Sequence, residues 1–183
     1  GVCSRVSPEA PILVLHTLQP NREINPGGSL NVAYQFKYLN AKITSFGLID
    51  EEAKIWFSYM NLQGCVDTEI PIPRKIRFFD DDRPILRYDI ENTNIPDINN
   101  KRNKILQLLN NDFDILILSN YNKGLFNQEF AQKLINFGIP TIVDPKCNIN
   151  FWKNCTIFKH NFKEATELTG EKDWKKQDDI LIK

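Results

Sequence analysis

Three short polar segments in this sequence each follow an apolar run that is typical of a strand. They contain side chains that can bind phosphate or a hydrated cation: Lys123, Asp144, Lys146, Asn161 and Glu164. Lysine ammonium groups neutralise phosphates, and carboxylate and amide oxygens suit Mg²⁺, which usually keeps several of its waters. Because ligands gather at the carboxyl ends of parallel strands, we expect the three segments to form one polar, partly cationic floor.

Two adjacent glycines, Gly27 and Gly28, come directly before an amphipathic run in a chain that has only 8 glycines. Glycine lets the backbone approach a ligand such as a sugar closely, and the start of a helix offers free N–H donors. A tight turn before the helix explains the pair equally well. The residues alone leave both interpretations open.

The other candidates also have ordinary structural explanations. Asn161 and Glu164 have the spacing of a capping pair at the start of a helix, with the amide at the N-cap and the acid three positions later. Asp144 precedes a proline, which is typical of a turn that ends a strand, and Lys146 is typical of a solvated surface charge. A binding function therefore needs support from the arrangement of the whole chain.

The composition describes a protein with one core and no dominant charge. The chain has 183 residues, of which 42% are hydrophobic, and 23 basic residues balance 23 acidic ones. This balance gives no field that attracts nucleic acid or an anionic membrane, so we expect neither as a partner. No apolar run approaches the ~20 residues of a membrane span. The four cysteines form no C-x-x-C pair, so we expect a reduced, cytoplasmic protein.

Apolar runs alternate with helical patterns along most of the chain, which predicts an α/β fold with a mainly parallel sheet covered by helices. Residues 74–91 break the alternation, because two half-alternating runs flank an Asp-rich turn and predict a β-hairpin outside the parallel core. Asp50 is placed to cap a helix that Gly64 would end. The predicted strands are residues 11–18, 42–49, 113–120, 139–146 and 155–161, and the predicted helices are residues 30–39, 51–64, 100–111, 127–138 and 162–170.

The order of these motifs resembles a known enzyme family. "SRVSPEAPILVL", "NPGGSLNVAYQFKYLNAKITSFGLID", "LILSNYNKG", "IPTIVDPK" and "NFKEATELTG" follow one another as in ribokinase-like carbohydrate kinases of the phosphofructokinase-B type. Within that family the chain is most similar to the heptose 7-phosphate kinase branch, whose product serves lipopolysaccharide precursor synthesis. The resemblance implies a three-layer α/β/α domain with a small β-lid. It also implies transfer of the ATP γ-phosphate to the anomeric hydroxyl of a sugar phosphate.

The resemblance also assigns roles to particular residues. It implies that ATP is the co-substrate and that Mg²⁺ is held indirectly, through water, by Glu164. The implied sugar-phosphate residues are Gly27, Gly28, Asn31, Lys123, Asp144 and Lys146, and the implied nucleotide and phosphate residues are Asn161 and Glu164. Residues 11–18 and 74–91 correspond to the strands of the β-lid, which in such proteins closes over the sugar and often pairs two subunits. A homodimer through the lid is therefore expected.

The chain departs from the family pattern at several places. Asn120 replaces the usual Asp, and Lys159-His160 replaces the usual Thr-Pro. No G-x-G occurs, so the family's catalytic G-x-G-D segment and its base are expected beyond Lys183. We accordingly expect residues 1–183 to form one partial domain, incomplete at both ends and inactive as a kinase by itself. The alternative is a non-catalytic sugar-phosphate-binding or interaction domain derived from the family.

Overall fold

The computed structural model describes residues 2–7, 9, 13–16, 23–92 and 96–181. Helices and strands alternate through most of these residues, as the apolar pattern predicts. The strands are β1 (Val2–Val6), β2 (Leu13–His16), β3 (Phe46–Ile49), β4 (Gly64–Asp67), β5 (Arg74–Asp80), β6 (Arg83–Ile90), β7 (Leu116–Asn120), β8 (Thr141–Pro145) and β9 (Ile157–Phe158). The helices are α1 (Gly28–Phe36), α2 (Glu51–Trp56), α3 (Asn99–Leu108), α4 (Gln128–Ile135), α5 (Phe162–Thr169) and α6 (Trp174–Leu181).

Parallel strands connected by helices form the centre of the fold. β3 and β4 form a parallel pair, and α2 connects them along the chain. β7, β8 and β9 form a three-stranded parallel sheet in that order, and α4 connects β7 to β8. Alternate residues of β7 and β8 are buried and the residues between them are half-buried, so one face of this sheet is packed more closely than the other. The predicted α/β fold with parallel strands is confirmed.

Two hydrophobic clusters hold these strands together. The larger surrounds β7, β8 and α4 and includes the fully buried Val143 and the indole of Trp152. The smaller lies beneath α2, where Ile49, Ala53 and Phe57 are buried. A groove of about 260 Å³ lies between α1, β3 and β7. Among the described residues, β3 forms its strand pairing with β4 alone and β7 with β8 alone.

The helix at Asp50 is correctly predicted at its start but not at its end. The Asp50 carboxylate accepts a hydrogen bond from the Ala53 N–H at 2.9 Å and caps α2. The helix ends at Trp56, and Gly64 begins β4 instead of ending α2. Asn61 accepts from the N–H of Gln63, a local bond that competes with helix formation. A Cβ at Gly64 would lie 2.4 Å from the Phe46 ring, so glycine is needed for β4 to approach β3.

Residues 74–91 form the predicted antiparallel hairpin, from β5 and β6, with a turn in which Asp81 has φ +46°. Its base is fixed to the parallel core because Arg74 donates to Asp50 at 2.7 Å and pairs with Glu52 at 2.8 Å. The other predicted lid segment contains β2, which pairs with β1 in an antiparallel arrangement. Residues 11, 12, 17 and 18 of that segment lie outside the described residues. That these two units act as a lid stays a prediction.

Within the described part of the chain, none of the helices has both the length and the apolar character needed to cross a lipid bilayer.

Candidate functional site

The carboxyl ends of β7, β8 and β9 lie side by side, which brings the three polar segments together. In the parallel register Asn120 is opposite Pro145, and Val143 is opposite Phe158. The main chain continues this contact beyond the strands, since the Lys146 N–H donates to the Asn120 carbonyl at 3.1 Å. The predicted polar floor therefore exists at one edge of the sheet.

An ion pair between Lys146 and Glu164 lies at the centre of this floor. Glu164 is buried, whereas the Lys146 side chain is about one third exposed. The hydrogen bond to Glu164 raises the pKa of Lys146 above its ordinary value. Burial by itself would raise the pKa of Glu164, but hydrogen bonds from Lys146 and from the Asn161 N–H outweigh it, so the pKa of Glu164 is lowered. Both groups are thus held in their charged forms.

Asn161 and Glu164 also form the capping pair that their spacing predicts. The Asn161 side chain accepts from the Glu164 N–H at 2.9 Å, and the Glu164 carboxylate accepts from the Asn161 N–H at 3.0 Å. One oxygen of the Glu164 carboxylate therefore accepts from the Asn161 N–H at the start of α5, and the other oxygen pairs with Lys146. The structural explanation of this motif is confirmed, and it leaves the carboxylate facing the polar floor.

A second ion pair joins Asp144 to Lys159, whose ammonium lies 3.0 Å from the carboxylate. The sequence indicates Lys159 as one of the polar residues in the third polar segment and as a departure from the family pattern, but it does not predict this contact. Lys159 also contributes to the lowered pKa of Glu164, so the two ion pairs are electrostatically connected. Two lysines and two carboxylates consequently face each other where β8 and β9 end.

Lys123 points to a different neighbour. Its ammonium lies 2.6 Å from the carboxylate of Glu91, the residue after β6. The contact joins the segment after β7, called here the site loop (residues 121–125), to the base of the hairpin. The structure therefore brings Lys123 to the hairpin side of the floor, whereas the other predicted phosphate ligands lie at β8 and α5.

The glycine pair begins α1 with two different backbone conformations. Gly27 is extended at the N-cap, with φ −116° and ψ 169°. Gly28 has φ +54°, a left-handed conformation that favours glycine. Asn31 is exposed on the first turn of α1. The predicted tight turn and the predicted helix start are therefore both present at this position.

Tyr121 connects the glycine turn with the lysine floor. A Cβ at Gly28 would lie 3.7 Å from the Tyr121 ring, and the Lys146 ammonium lies 5.4 Å from the centroid of the same ring. The ring is 43% exposed, so it is available to a ligand as well as to these two neighbours. Tyr121 belongs to the polar segment predicted after this strand, but the sequence assigns it no role, although an aromatic residue inside such a segment is a usable signal.

Asn120 shows how the site loop begins. Its buried side chain accepts from the N–H of Asn122 at 2.9 Å, which closes a turn of the kind that Asn and Asp side chains both form. Replacement of the family's usual Asp by Asn therefore preserves this turn.

Comparison with known proteins agrees with the motif order. No family model matches the chain. The chain is 31% identical to the bifunctional protein HldE of Campylobacter jejuni subsp. doylei over 172 residues, which cover 90% of this chain and 37% of that protein. It is 31% identical to HldE of Helicobacter hepaticus and 29% identical to HldE of Nitratiruptor, each over 93% of this chain and 38% of the relative. The chain thus spans a little over a third of the length of these curated relatives. This similarity runs along nearly the whole chain and confirms the ribokinase-like resemblance that the motif order indicates.

Proposed function

We propose that this chain forms the sugar-phosphate side of a carbohydrate kinase. In the reaction the anomeric hydroxyl of heptose 7-phosphate gives its proton to a base and its oxygen bonds to the γ-phosphorus of ATP, while the bond from that phosphorus to the β–γ bridging oxygen breaks and ADP leaves. The product class is a precursor for ADP-heptose and lipopolysaccharide synthesis. The observation that carries the proposal is the position of the Tyr121 ring, which lies beside the glycine turn and 5.4 Å from the Lys146 ammonium.

The sugar is proposed to lie against the glycine turn. Gly27 presents no side chain there, and a Cβ at this residue would meet no heavy atom within 4 Å. The exposed Asn31 amide is then available to a sugar hydroxyl. Lys123 and Lys146 supply the positive charge for a phosphate. Asp144 pairs with Lys159 and thereby orients that ammonium group within the floor. When a phosphate binds in this arrangement, one of its oxygens replaces the carboxylate that pairs with the lysine in the free chain.

ATP and Mg²⁺ are proposed on the α5 side of the floor. The described residues contain no group of three or more His, Cys, Asp or Glu side chains that would enclose a metal ion directly. A charged Glu164 with an amide neighbour, Asn161, instead fits a magnesium ion that keeps its waters and is bound mainly by phosphates. The bound ion would supply charge neutralisation for the phosphates, and Glu164 would hold its water shell.

The hairpin is proposed to join two copies of the chain. Cross-strand partners Ile76 and Tyr88, and Phe78 and Leu86, place four apolar side chains on one face. Phe78, Leu86 and Tyr88 are exposed in the single chain. A homodimer would bury this face. The chain's three described free thiols, Cys65, Cys147 and Cys155, suit the reducing cytoplasm that we propose as its location.

Calorimetric titration with heptose 7-phosphate tests the proposal. We expect saturable binding that Lys146→Met weakens by at least about tenfold, as loss of a charged hydrogen-bond partner would do. The non-phosphorylated heptose should bind the wild-type chain more weakly than heptose 7-phosphate does. It should bind the wild type and Lys146→Met with equal affinity. In an ADP-release assay with Mg-ATP, binding without turnover is expected of this chain and also of the non-catalytic alternative, so only turnover would distinguish them, by excluding the alternative. Absence of sugar-phosphate binding would refute the proposed function and leave only an interaction domain.

A further inference from the structure

The site loop (residues 121–125) has no helix or strand geometry of its own. Asn122 has φ +54° and Gly124 has φ +84°, so two of its five residues are left-handed. Asn and Gly adopt this conformation most readily, so the loop takes it without strain, and hydrogen bonds from outside the loop support its shape. The loop carries Tyr121 and Lys123, which makes its shape decisive for the proposed site.

Arg102, on α3, supplies that support from the side of the loop. Its Nε donates to the carbonyl oxygen of Leu125 at 2.8 Å, and a terminal nitrogen donates to the carbonyl oxygen of Gly124 at 2.9 Å. The other terminal nitrogen donates to the side-chain oxygen of Asn99 at 2.8 Å, which holds the guanidinium in its plane. The acceptors in these three bonds are neutral oxygens. The planar fork of donors is therefore used for geometry and not for charge pairing.

We propose that Arg102 is a positioning residue that fixes the site loop and thereby sets where Tyr121 and Lys123 stand. This inference rests on the proposed function for its effect on ligand binding. The two carbonyl bonds close the carboxyl end of the loop, just as the Asn120 side chain closes its start. With both ends of the loop held in this way, Lys123 pairs with Glu91, and the Tyr121 ring lies beside Gly28 and the Lys146 ammonium.

The neighbouring Lys101 provides a matched control. It lies on the same helix and also donates to a carbonyl oxygen, but to that of Asp67 at 2.6 Å, outside the site loop. Arg102→Met and Lys101→Met each remove one cation and keep an unbranched apolar stem. Arg102→Lys keeps the charge but replaces the fork by one ammonium, so it should restore only part of the effect and serves where Arg102→Met does not fold.

Two measurements test the proposal, and the first needs no ligand. Trypsin cleaves after lysine, so the rate of cutting at the Lys123–Gly124 bond reports how often the loop opens. We expect cutting at least about tenfold faster in Arg102→Met, since two hydrogen bonds to the loop are lost, and no change in Lys101→Met. In calorimetry, Arg102→Met should weaken heptose 7-phosphate binding by about tenfold, with Arg102→Lys between it and the wild type.

The outcomes separate the inference from the proposed function. If the wild-type chain does not bind heptose 7-phosphate, the proposed function fails, and the cleavage rates alone decide whether Arg102 fixes the loop. Equal cleavage at Lys123 in Arg102→Met and Lys101→Met overturns the inference. So does faster cleavage with unchanged affinity in Arg102→Met, because the loop would then be fixed without serving the site.

Discussion

Replacement of the two glycines at the start of α1 should separate folding from binding. Gly28 has φ +54°, and an alanine forced into that left-handed conformation costs about 1 kcal/mol. The added Cβ would meet the Tyr121 ring at 3.7 and 3.8 Å, which is ordinary van der Waals contact, so no overlap increases the cost. We therefore expect Gly28→Ala to lower the free energy of unfolding by about that amount.

Gly27→Val should behave in the opposite way. Gly27 has φ −116° and ψ 169°, an extended conformation that valine adopts readily, and its Cβ would meet no heavy atom within 4 Å. The free energy of unfolding should change by less than about 0.5 kcal/mol. In the proposed complex the same isopropyl group occupies space that the sugar needs. An overlap of about 1–3 kcal/mol would weaken binding by roughly five- to 150-fold.

Urea denaturation gives the stabilities, and calorimetric titration with heptose 7-phosphate gives the affinities. Gly27→Ala is the matched control, because it adds one methyl group at the same backbone conformation and should lie between the wild type and Gly27→Val in affinity. Wild-type affinity in Gly27→Val would refute the assignment of the glycine turn to the sugar. Wild-type stability in Gly28→Ala would refute the reasoning from its left-handed backbone.

Three further predictions concern the supports of the site. Asp50→Asn should lower the free energy of unfolding by about 1–3 kcal/mol, because Arg74 loses one of its two carboxylate partners and keeps Glu52, and a urea midpoint equal to that of the wild type would contradict this. The lowered pKa of Glu164 gives stability that is present above its ordinary pKa of 4.5 and is lost as the pH falls through the folded value. The stability difference between the wild type and Glu164→Gln, measured by urea denaturation across pH, should therefore shrink in acid, and a constant difference down to pH ~3 would argue against the Lys146 pair as its source. Phe78→Lys should shift the chain to monomer in sedimentation if the apolar hairpin face joins two copies, and an unchanged distribution would exclude that face.

Elements governed by local chemistry are predictable from the sequence. Asp50 and Asn161 both cap the helices that their positions indicate, since a cap depends only on residues three positions apart. The buried strand after Phe113 and the amphipathic helix closed before Gly138 follow from apolar periodicity. The hairpin follows from an Asp-rich turn between alternating runs. In each case the deciding interactions lie within one element.

Features that depend on distant residues are not predictable in this way. Gly64 looks like a helix end, but its role is set by the Phe46 ring, 18 positions earlier in the chain. Lys159 has no partner in any local pattern, and only the pairing of β8 with β9 brings Asp144 beside it. The link between Tyr121 and Gly28 requires α1 to pack near the end of β7. Tertiary packing creates each of these contacts, and no local pattern encodes it.

The groove between β3 and β7 has a consequence for how the protein opens. Because β3 hydrogen-bonds to β4, and β7 to β8, no described strand ladder joins the two groups, and side chains of β3 such as Phe46 and Leu48, packed against the larger hydrophobic cluster, provide the connection. Breaking side-chain contacts costs less free energy than breaking a complete ladder of backbone hydrogen bonds between strands. The β3–β4 group should therefore open as its own cooperative unit. Amide hydrogens of β8, enclosed by β7 and β9, should then exchange only in global unfolding. The exchange rates of amide hydrogens should thus change near α3 along the chain, and the glycine turn and the site loop should belong to different cooperative units.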